Sequence, residues 1–319
     1  MPPQFFEGPE KKVELVVRED HRSLRSVPET TWNEVVQAAG AAVLSKIGND
    51  QCDAYLLSES SLFVFDDHVT MITCGCTQLV SAVARMLEFI DAADVELLMY
   101  ERKSENFPEC QSSSFIDDAE RLVAMFPGAA FRFGDEHSHS IHLFHSTRPF
   151  VPDPEDTTLE VLMHGLAPDR AVMFGPDGGG ELARKVGLDE VLPGFTIDEY
   201  VFSPAGYSLN AISGPHYYTV HVTPEFNGSY CSFETNYDFR DEPGGIVGRV
   251  VRLFQPQSFD VLTFEPSTAP GPVRDGGIRV PGYDVARHVQ QRVSGYDITF
   301  LHFFAPPTGP VPAFPIDLG

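Results

Sequence analysis

Basic residues are scarce in this chain: 22 Lys and Arg stand against 46 Asp and Glu, for a formal net charge of -24. So acidic a chain argues against nucleic acid or an anionic membrane as partner and is compatible with cationic ligands. Cysteine is also scarce. Cys52, Cys74, Cys76, Cys110 and Cys231 form an odd, loosely spaced set, which lays out no disulfide framework and points to a reducing compartment. Cys74-x-Cys76 is too close for zinc-ligand spacing and no second pair follows it, while His137/His139 and His142/His145 read as turn and strand side chains, so no metal is expected. No apolar run approaches membrane-spanning length, and the opening Met1-Pro2-Pro3-Gln4 carries no basic-then-apolar leader, so the expectation is a soluble cytoplasmic protein. Asp177-Gly178-Gly179-Gly180 reads as a turn without phosphate-loop spacing.

What is present is a globular composition: 319 residues, 42% hydrophobic, with 25 Phe and 10 Tyr, enough for one large domain or two similar halves. Alternation predicts strands at Lys12–Arg18, Ala54–Leu57, Leu62–Phe65, Val69–Thr73, Val95–Tyr100, Ala130–Gly134 and His139–Phe144. Helical periodicity predicts helices over Pro28–Lys46, with Thr30 as cap, and over Gln78–Ile90, Phe115–Phe126, Thr158–Gly165 and Glu181–Gly187. The second half repeats the grammar, with strands at Tyr217–Thr223, Ser229–Glu234, Phe259–Phe264 and Ile298–Phe304 and helices at Gly245–Phe254 and Gly282–Val293. The pattern implies an α+β fold of antiparallel sheets, each covered on one face by helices, with two halves (about 1–170 and 171–319) meeting sheet to sheet. The proline-bearing segment 306–319 reads as an extended tail.

Between two of these strands lies Leu57-Ser58-Glu59-Ser60-Ser61, which puts a hydroxyl directly after a peptide carbonyl in a tight turn; alone, it is equally an ordinary turn. It does not stand alone. Phe5-Phe6-Glu7-Gly8-Pro9-Glu10-Lys11, Thr73-Cys74-Gly75, Thr158-Leu159-Glu160, Pro204-Ala205-Gly206-Tyr207-Ser208-Leu209-Asn210, His221-Val222-Thr223-Pro224-Glu225 and Ser232-Phe233-Glu234-Thr235-Asn236 occur in order around it. With these blocks the chain resembles the eukaryotic, self-processing S-adenosylmethionine decarboxylases over nearly its full length. The resemblance implies a four-layer αββα sandwich with two antiparallel sheets, internally duplicated.

The resemblance also implies the chemistry. The Ser60 hydroxyl would attack the Glu59 carbonyl, and the ester formed would eliminate, cutting the chain between 59 and 60 and leaving a pyruvoyl group at position 60. Residues 1–59 and 60–319 would stay associated. The pyruvoyl carbonyl would form a Schiff base with S-adenosylmethionine, and loss of carbon dioxide would give S-adenosylmethioninamine, the aminopropyl donor for spermidine and spermine. Ser208 and His221 would serve processing, Cys74 would protonate the α carbon, Phe6 and Phe202 would stack on adenine, and Glu225 would bind the ribose. Glu59 would also contribute to substrate binding, and Glu7 and Glu10 would shape the site.

Glu14, Asp156, Thr158, Glu160 and Glu234 match a buried set that binds putrescine in animal-type relatives. Asp156 and Glu160, read as one helix face, would repel unless a cation or proton intervened. Ile72 and Met99 depart from the animal pattern there, which leaves a diamine requirement open. From the residues alone, Cys74 could equally be a small buried side chain, Ser208 a turn residue and His221 a strand residue. A pyruvoyl decarboxylase of another amino acid and a non-catalytic regulatory paralogue also stay open, as does a homodimer.

Overall fold

The computed structural model describes residues 6–135, 139–175, 181–225, 228–267, 277–307 and 309. The expected Asp177–Gly180 turn, His137 and nearly all of the tail from Pro306 lie outside them. The first half folds into β1 (Lys11–Val17), β2 (Val43–Gly48), β3 (Asp53–Leu57), β4 (Ser60–Val64), β5 (His68–Thr73), β6 (Val95–Lys103), β7 (Gly128–Gly134) and β8 (Ser140–Ser146). The second half gives β9 (Thr158–His164), β10 (Thr196–Val201), β11 (Tyr207–Ser213), β12 (His216–Thr223), β13 (Tyr230–Thr235), β14 (Ser258–Pro266), β15 (Asp284–Val293) and β16 (Tyr296–Phe304). Two eight-stranded sheets result, ordered β2-β3-β4-β5-β1-β6-β8-β7 and β10-β11-β12-β13-β9-β14-β16-β15. The second order repeats the first strand for strand, so the duplication is one of topology. The passage between sheets falls in 147–157, ahead of the expected 170, because β9 already belongs to the second sheet.

Alternation along the strands sorts side chains into layers. Val13, Leu15, Leu62, Val64 and Leu98 pack with Trp32, Val35 and Val36 of α1 (Glu29–Ala38), with α2 (Leu79–Met86) and with α3 (Phe115–Met125). Leu159, Val161, Leu209, Val220 and Phe233 pack under α4 (Pro168–Ala171), α5 (Leu182–Val186) and α6 (Pro243–Phe254). The opposite faces of both sheets meet in the middle, where Leu97, Met99, Leu143, Leu162, Leu262 and Phe300 form one apolar patch and Ala54, Phe63, Ile212 and Tyr217 another. This is the expected αββα order.

Several element assignments need correction. The helix expected over Pro28–Lys46 stops at Ala38, and Thr30 is not its cap: Pro28 occupies that position without a side-chain bond. Gly40, at φ +88°, ends the helix by donating its N–H to Gln37 O while Ala41 N–H reaches Val36 O, a Schellman closure that frees Val43–Gly48 to become an edge strand. Thr158–Gly165 is the central strand β9, where Leu159, Val161 and Met163 face the helices and Thr158, Glu160 and His164 face the other sheet. Gly282–Val293 holds the mostly exposed edge strand β15, whose polar outer face hides the alternation. β10 and β11 also formed where no strand was expected.

Candidate active site

The residues singled out in the sequence converge on the layer between the sheets. β3 and β4 pair as a hairpin with Leu57 opposite Ser60, so Ser58 and Glu59 alone make the turn. Ser60 takes φ +118°, a region that strains a side-chain-bearing residue by roughly 1–3 kcal/mol. Its hydroxyl, 1% exposed, donates to Cys74 Sγ at 3.2 Å, and the Cys74 N–H donates to the Glu59 carbonyl at 3.1 Å. Burial pushes the Cys74 thiol well above its usual value, aided by the Glu59 carboxyl, so it is neutral near pH 7. Burial likewise raises the Glu59 carboxyl to about 7. Gly75 (φ +64°) closes this corner: a Cβ there would lie 2.9 Å from Glu59 Oε2 and 3.4 Å from the Phe6 ring.

His221 approaches from the second sheet. Its Nδ1 lies 2.7 Å from Glu10 Oε1, and its Nε2 lies 2.8 Å from Ser61 Oγ. Ser61 can also donate to Asn210 Oδ1 at 2.5 Å, and Asn210 is anchored by donating to Tyr55 O. Both charge states of the ring are therefore accommodated. A neutral ring with its proton on Nδ1 accepts from Ser61, whereas an imidazolium donates to Ser61, which turns its proton to Asn210. Ser208 is buried and pairs directly with His221 in the β11–β12 register. Ser61, Asn210, Thr219 and Ser232 were not singled out in the sequence. Thr219 Oγ1 lies 3.1 Å from His221 Nε2, and Ser232 donates to Glu10 at 2.6 Å. The signal for them was positional: Asn210 and Thr219 are two residues from Ser208 and His221 along their strands, and Ser232 pairs with His221 across strands.

At the mouth, Phe6 is 39% exposed and its N–H donates to Glu225 Oε1 at 2.9 Å. Glu7 accepts from Asn106 N and Phe107 N at 2.8 and 2.7 Å, while its carbonyl accepts from Gly75 N at 2.9 Å. Glu7 thereby pins the segment before β1 against Cys74-Gly75. Phe202 follows β10, half-buried, with its N–H on Gly206 O at 2.8 Å and its ring edge-on to Tyr200.

The acidic set is split. Glu160 and Glu234 accept from Lys12 Nζ at 2.9 and 3.1 Å; Lys103 Nζ lies 2.8 Å from Glu160 and 3.1 Å from Glu101. Burial alone would raise Glu160, but Lys103 and Lys12 pull it down to about 2. Glu14 and Asp156 stand apart from that pairing: burial and the neighbouring Asp156 raise Glu14 to about 7 against a weaker opposing pull from Lys12, and Asp156 accepts from Tyr296 OH. The helix face expected for Asp156 and Glu160 is corrected here. Asp156 precedes a strand on which Thr158 and Glu160 alternate toward the other sheet, and Lys12 and Lys103 neutralise Glu160.

A duplicated antiparallel sandwich that holds a strained serine, a thiol and a carboxylate-held imidazole between its sheets is an enzyme-like arrangement. Residues 3–304 match the family model described as adenosylmethionine decarboxylase. The chain is 32% identical to the S-adenosylmethionine decarboxylase proenzyme of Dictyostelium discoideum, over 93% of this chain and 85% of that protein. It is 33% identical to the proenzyme of Leishmania donovani, over 81% and 73%. The crystal structure of the Trypanosoma brucei AdoMetDC-delta26 monomer superposes with a TM-score of 0.60 at 25% identity, covering 77% of this chain and 99% of that one. The chain belongs to the adenosylmethionine decarboxylase family, of the eukaryotic, pyruvoyl-dependent type.

Proposed function

We propose that this chain cuts itself between Glu59 and Ser60 and then decarboxylates S-adenosylmethionine to S-adenosylmethioninamine. The observation that carries the reading is the Glu59–Ser60 corner, with its positive φ, its carbonyl held by Cys74 N–H and its buried hydroxyl. Ser60 Oγ attacks the Glu59 carbonyl carbon, the Cys74 N–H stabilises the charge developing on oxygen, and opening the peptide relieves the strain at Ser60. His221, with its tautomer set by Glu10, takes the α proton of residue 60 so that Glu59 leaves as a carboxylate. Water and loss of ammonia complete the conversion of residue 60. The proenzyme names of the relatives agree with such a step.

The buried, thiol-flanked position of Ser60 fits a pyruvoyl group, which supplies a carbonyl that engages the substrate α-amine and withdraws the electron pair released with carbon dioxide. Cys74, kept as a neutral thiol, holds the proton that returns to the α carbon. Phe6 and Phe202 offer rings for adenine, and Glu225 offers a carboxylate for the ribose; carboxylates and rings also suit a sulfonium. A regulatory paralogue would need neither the Cys74 thiol beside Ser60 nor the Glu10–His221 pair.

Lys12 and Lys103 supply the cationic charge for Glu160, Glu234 and Glu101, and this supports processing and turnover without a diamine. Intact mass under denaturing conditions tests the main reading, with two chains, 1–59 and 60–319, expected for the purified protein and one for Ser60→Ala. An uncut wild-type chain, or a cut one that releases no carbon dioxide from carboxyl-labelled S-adenosylmethionine, would overturn it.

A further inference from the structure

A second polar cluster lies at the β14–β16 side of the layer between the sheets, apart from Ser60 and independent of the reading above. His139 enters from the segment before β8, His164 from the end of β9 and Asp260 from β14, and one ligand atom from each lies within 4.8 Å of the others. The His139 ring lies over His164 with centroids 3.8 Å apart. His164 Nε2 is 3.6 Å from Asp260 Oδ2 and is a buried nitrogen without a hydrogen-bond partner. His302 Nδ1 holds the other carboxylate oxygen of Asp260 at 2.7 Å. His139, His164 and Asp260 border a cavity of about 10 Å³, roughly the space of one water. Tyr230, 1% exposed, lines the same cavity and has a buried hydroxyl without a partner.

We propose that His139, His164 and Asp260 bind one divalent transition-metal ion of the zinc class, with His302 as the outer partner that orients Asp260. Two imidazoles and a carboxylate with one position left for water are a common donor set for zinc, and a second-layer histidine on the ligating carboxylate fixes its orientation. Donor atoms within 4.8 Å of one another must draw in further to sit at about 2.0–2.2 Å from a shared ion. A metal-bound water would give the Tyr230 hydroxyl a partner. The remaining cation on the cavity, Lys103, is already paired with Glu101 and Glu160. Because His139 comes from the first half and the other two ligands from the second, the ion would tie the sheets together.

The test uses the full-length, untagged protein, stripped with chelator and titrated with Co²⁺ as an optical probe, then with Zn²⁺ in competition. One equivalent is expected, with Zn²⁺ raising the thermal midpoint. His139→Ala and Asp260→Asn should each abolish the Co²⁺ spectrum and the zinc-dependent midpoint shift, and His302→Ala should weaken affinity about 10–100-fold. Circular dichroism checks folding, and His139→Ala changes a residue outside the strands, so at least one ligand variant avoids the sheet interior. Absence of stoichiometric binding by the wild type would overturn the proposal. So would wild-type binding by both ligand variants, which would move the ion to the exposed thiols Cys76 and Cys110.

Discussion

At the scale of single residues, the Cys74 thiol separates the two reactions this corner is proposed to perform. Its backbone N–H holds the Glu59 carbonyl, whereas its thiol, which accepts from Ser60 Oγ, is the group proposed to return the proton in turnover. Cys74→Ala keeps the first and removes the second, so chain cutting should continue while decarboxylation falls by about 10²–10⁴-fold; single-turnover release of carbon dioxide from cut protein measures it. Glu59 adds a pH signature. Its carboxyl is raised from 4.5 to about 7 by burial, so the folded chain binds this proton more tightly than the unfolded chain. The contribution to stability is fully present below the unfolded value and is lost as pH rises through about 7. In the uncut Ser60→Ala background, urea unfolding should show stability relative to the Ser60→Ala/Glu59→Gln double variant falling between pH 4.5 and 7.5; a flat difference would exclude the burial effect. Asn210→Ala tests the His221 support. Losing one buried hydrogen bond to Ser61 should slow processing by about tenfold, read as the half-time of chain cutting.

At the scale of elements, what the sequence made legible depended on whether a strand's composition favoured extended backbone as well as alternating. β5, β12 and β16 were readable because each carries an apolar alternation (Val69 and Met71; Tyr218, Val220 and Val222; Ile298 and Phe300) in a composition rich in β-branched or aromatic residues. β9 was not, because its Thr158, Glu160 and His164 face a polar seam inside the protein, and good helix formers such as Leu, Glu and Met fill the rest. Its Leu159, Val161 and Met163 do alternate, but three residues cannot outvote a helix-like composition. The motif blocks made Ser60, Cys74, Ser208 and His221 legible, whereas Lys12 and Lys103 could not be assigned, since their role depends on β1 and β6 lying opposite β9 and β13 across the layer. Lys12→Met probes that arrangement. It leaves Glu160 and Glu234 without one buried cation and should cost about 3–5 kcal/mol in urea unfolding at pH 7. Part of the loss should return at pH 5, where protonated carboxyls need no counter-charge, and on adding putrescine at pH 7, whereas the wild type should show no diamine response in cutting or turnover. A variant as stable as wild type at pH 7 would remove Lys12 from this role.

At the scale of the whole molecule, the proposed cut falls in a turn, yet the fragment it releases is not peripheral. Residues 1–59 supply β1, β2 and β3. β1 lies in the interior of its sheet, paired with β5 on one side from Lys11–Thr73 to Val16–His68 and with β6 on the other. Its Val13 and Leu15 are fully buried under the helices, and Lys12 is bound to carboxylates of the opposite sheet. β3 would keep most of its ladder to β4 after the peptide at Glu59–Ser60 opens: loss of the residue 60 nitrogen costs the Leu57–Ser60 pairing, but the pairs from Asp53–Val64 to Leu56–Ser61 lie outside the turn. Release of 1–59 would therefore split one sheet at its centre and expose the seam that holds the Glu10–His221 pair. The two fragments should co-elute in native size exclusion at the position of the uncut Ser60→Ala chain, and should separate only in denaturant, with loss of decarboxylation at the same denaturant concentration. Recovery of an active 60–319 fragment free of 1–59 would contradict the placement of Phe6, Glu7 and Glu10 in the site, since all three travel with the smaller chain.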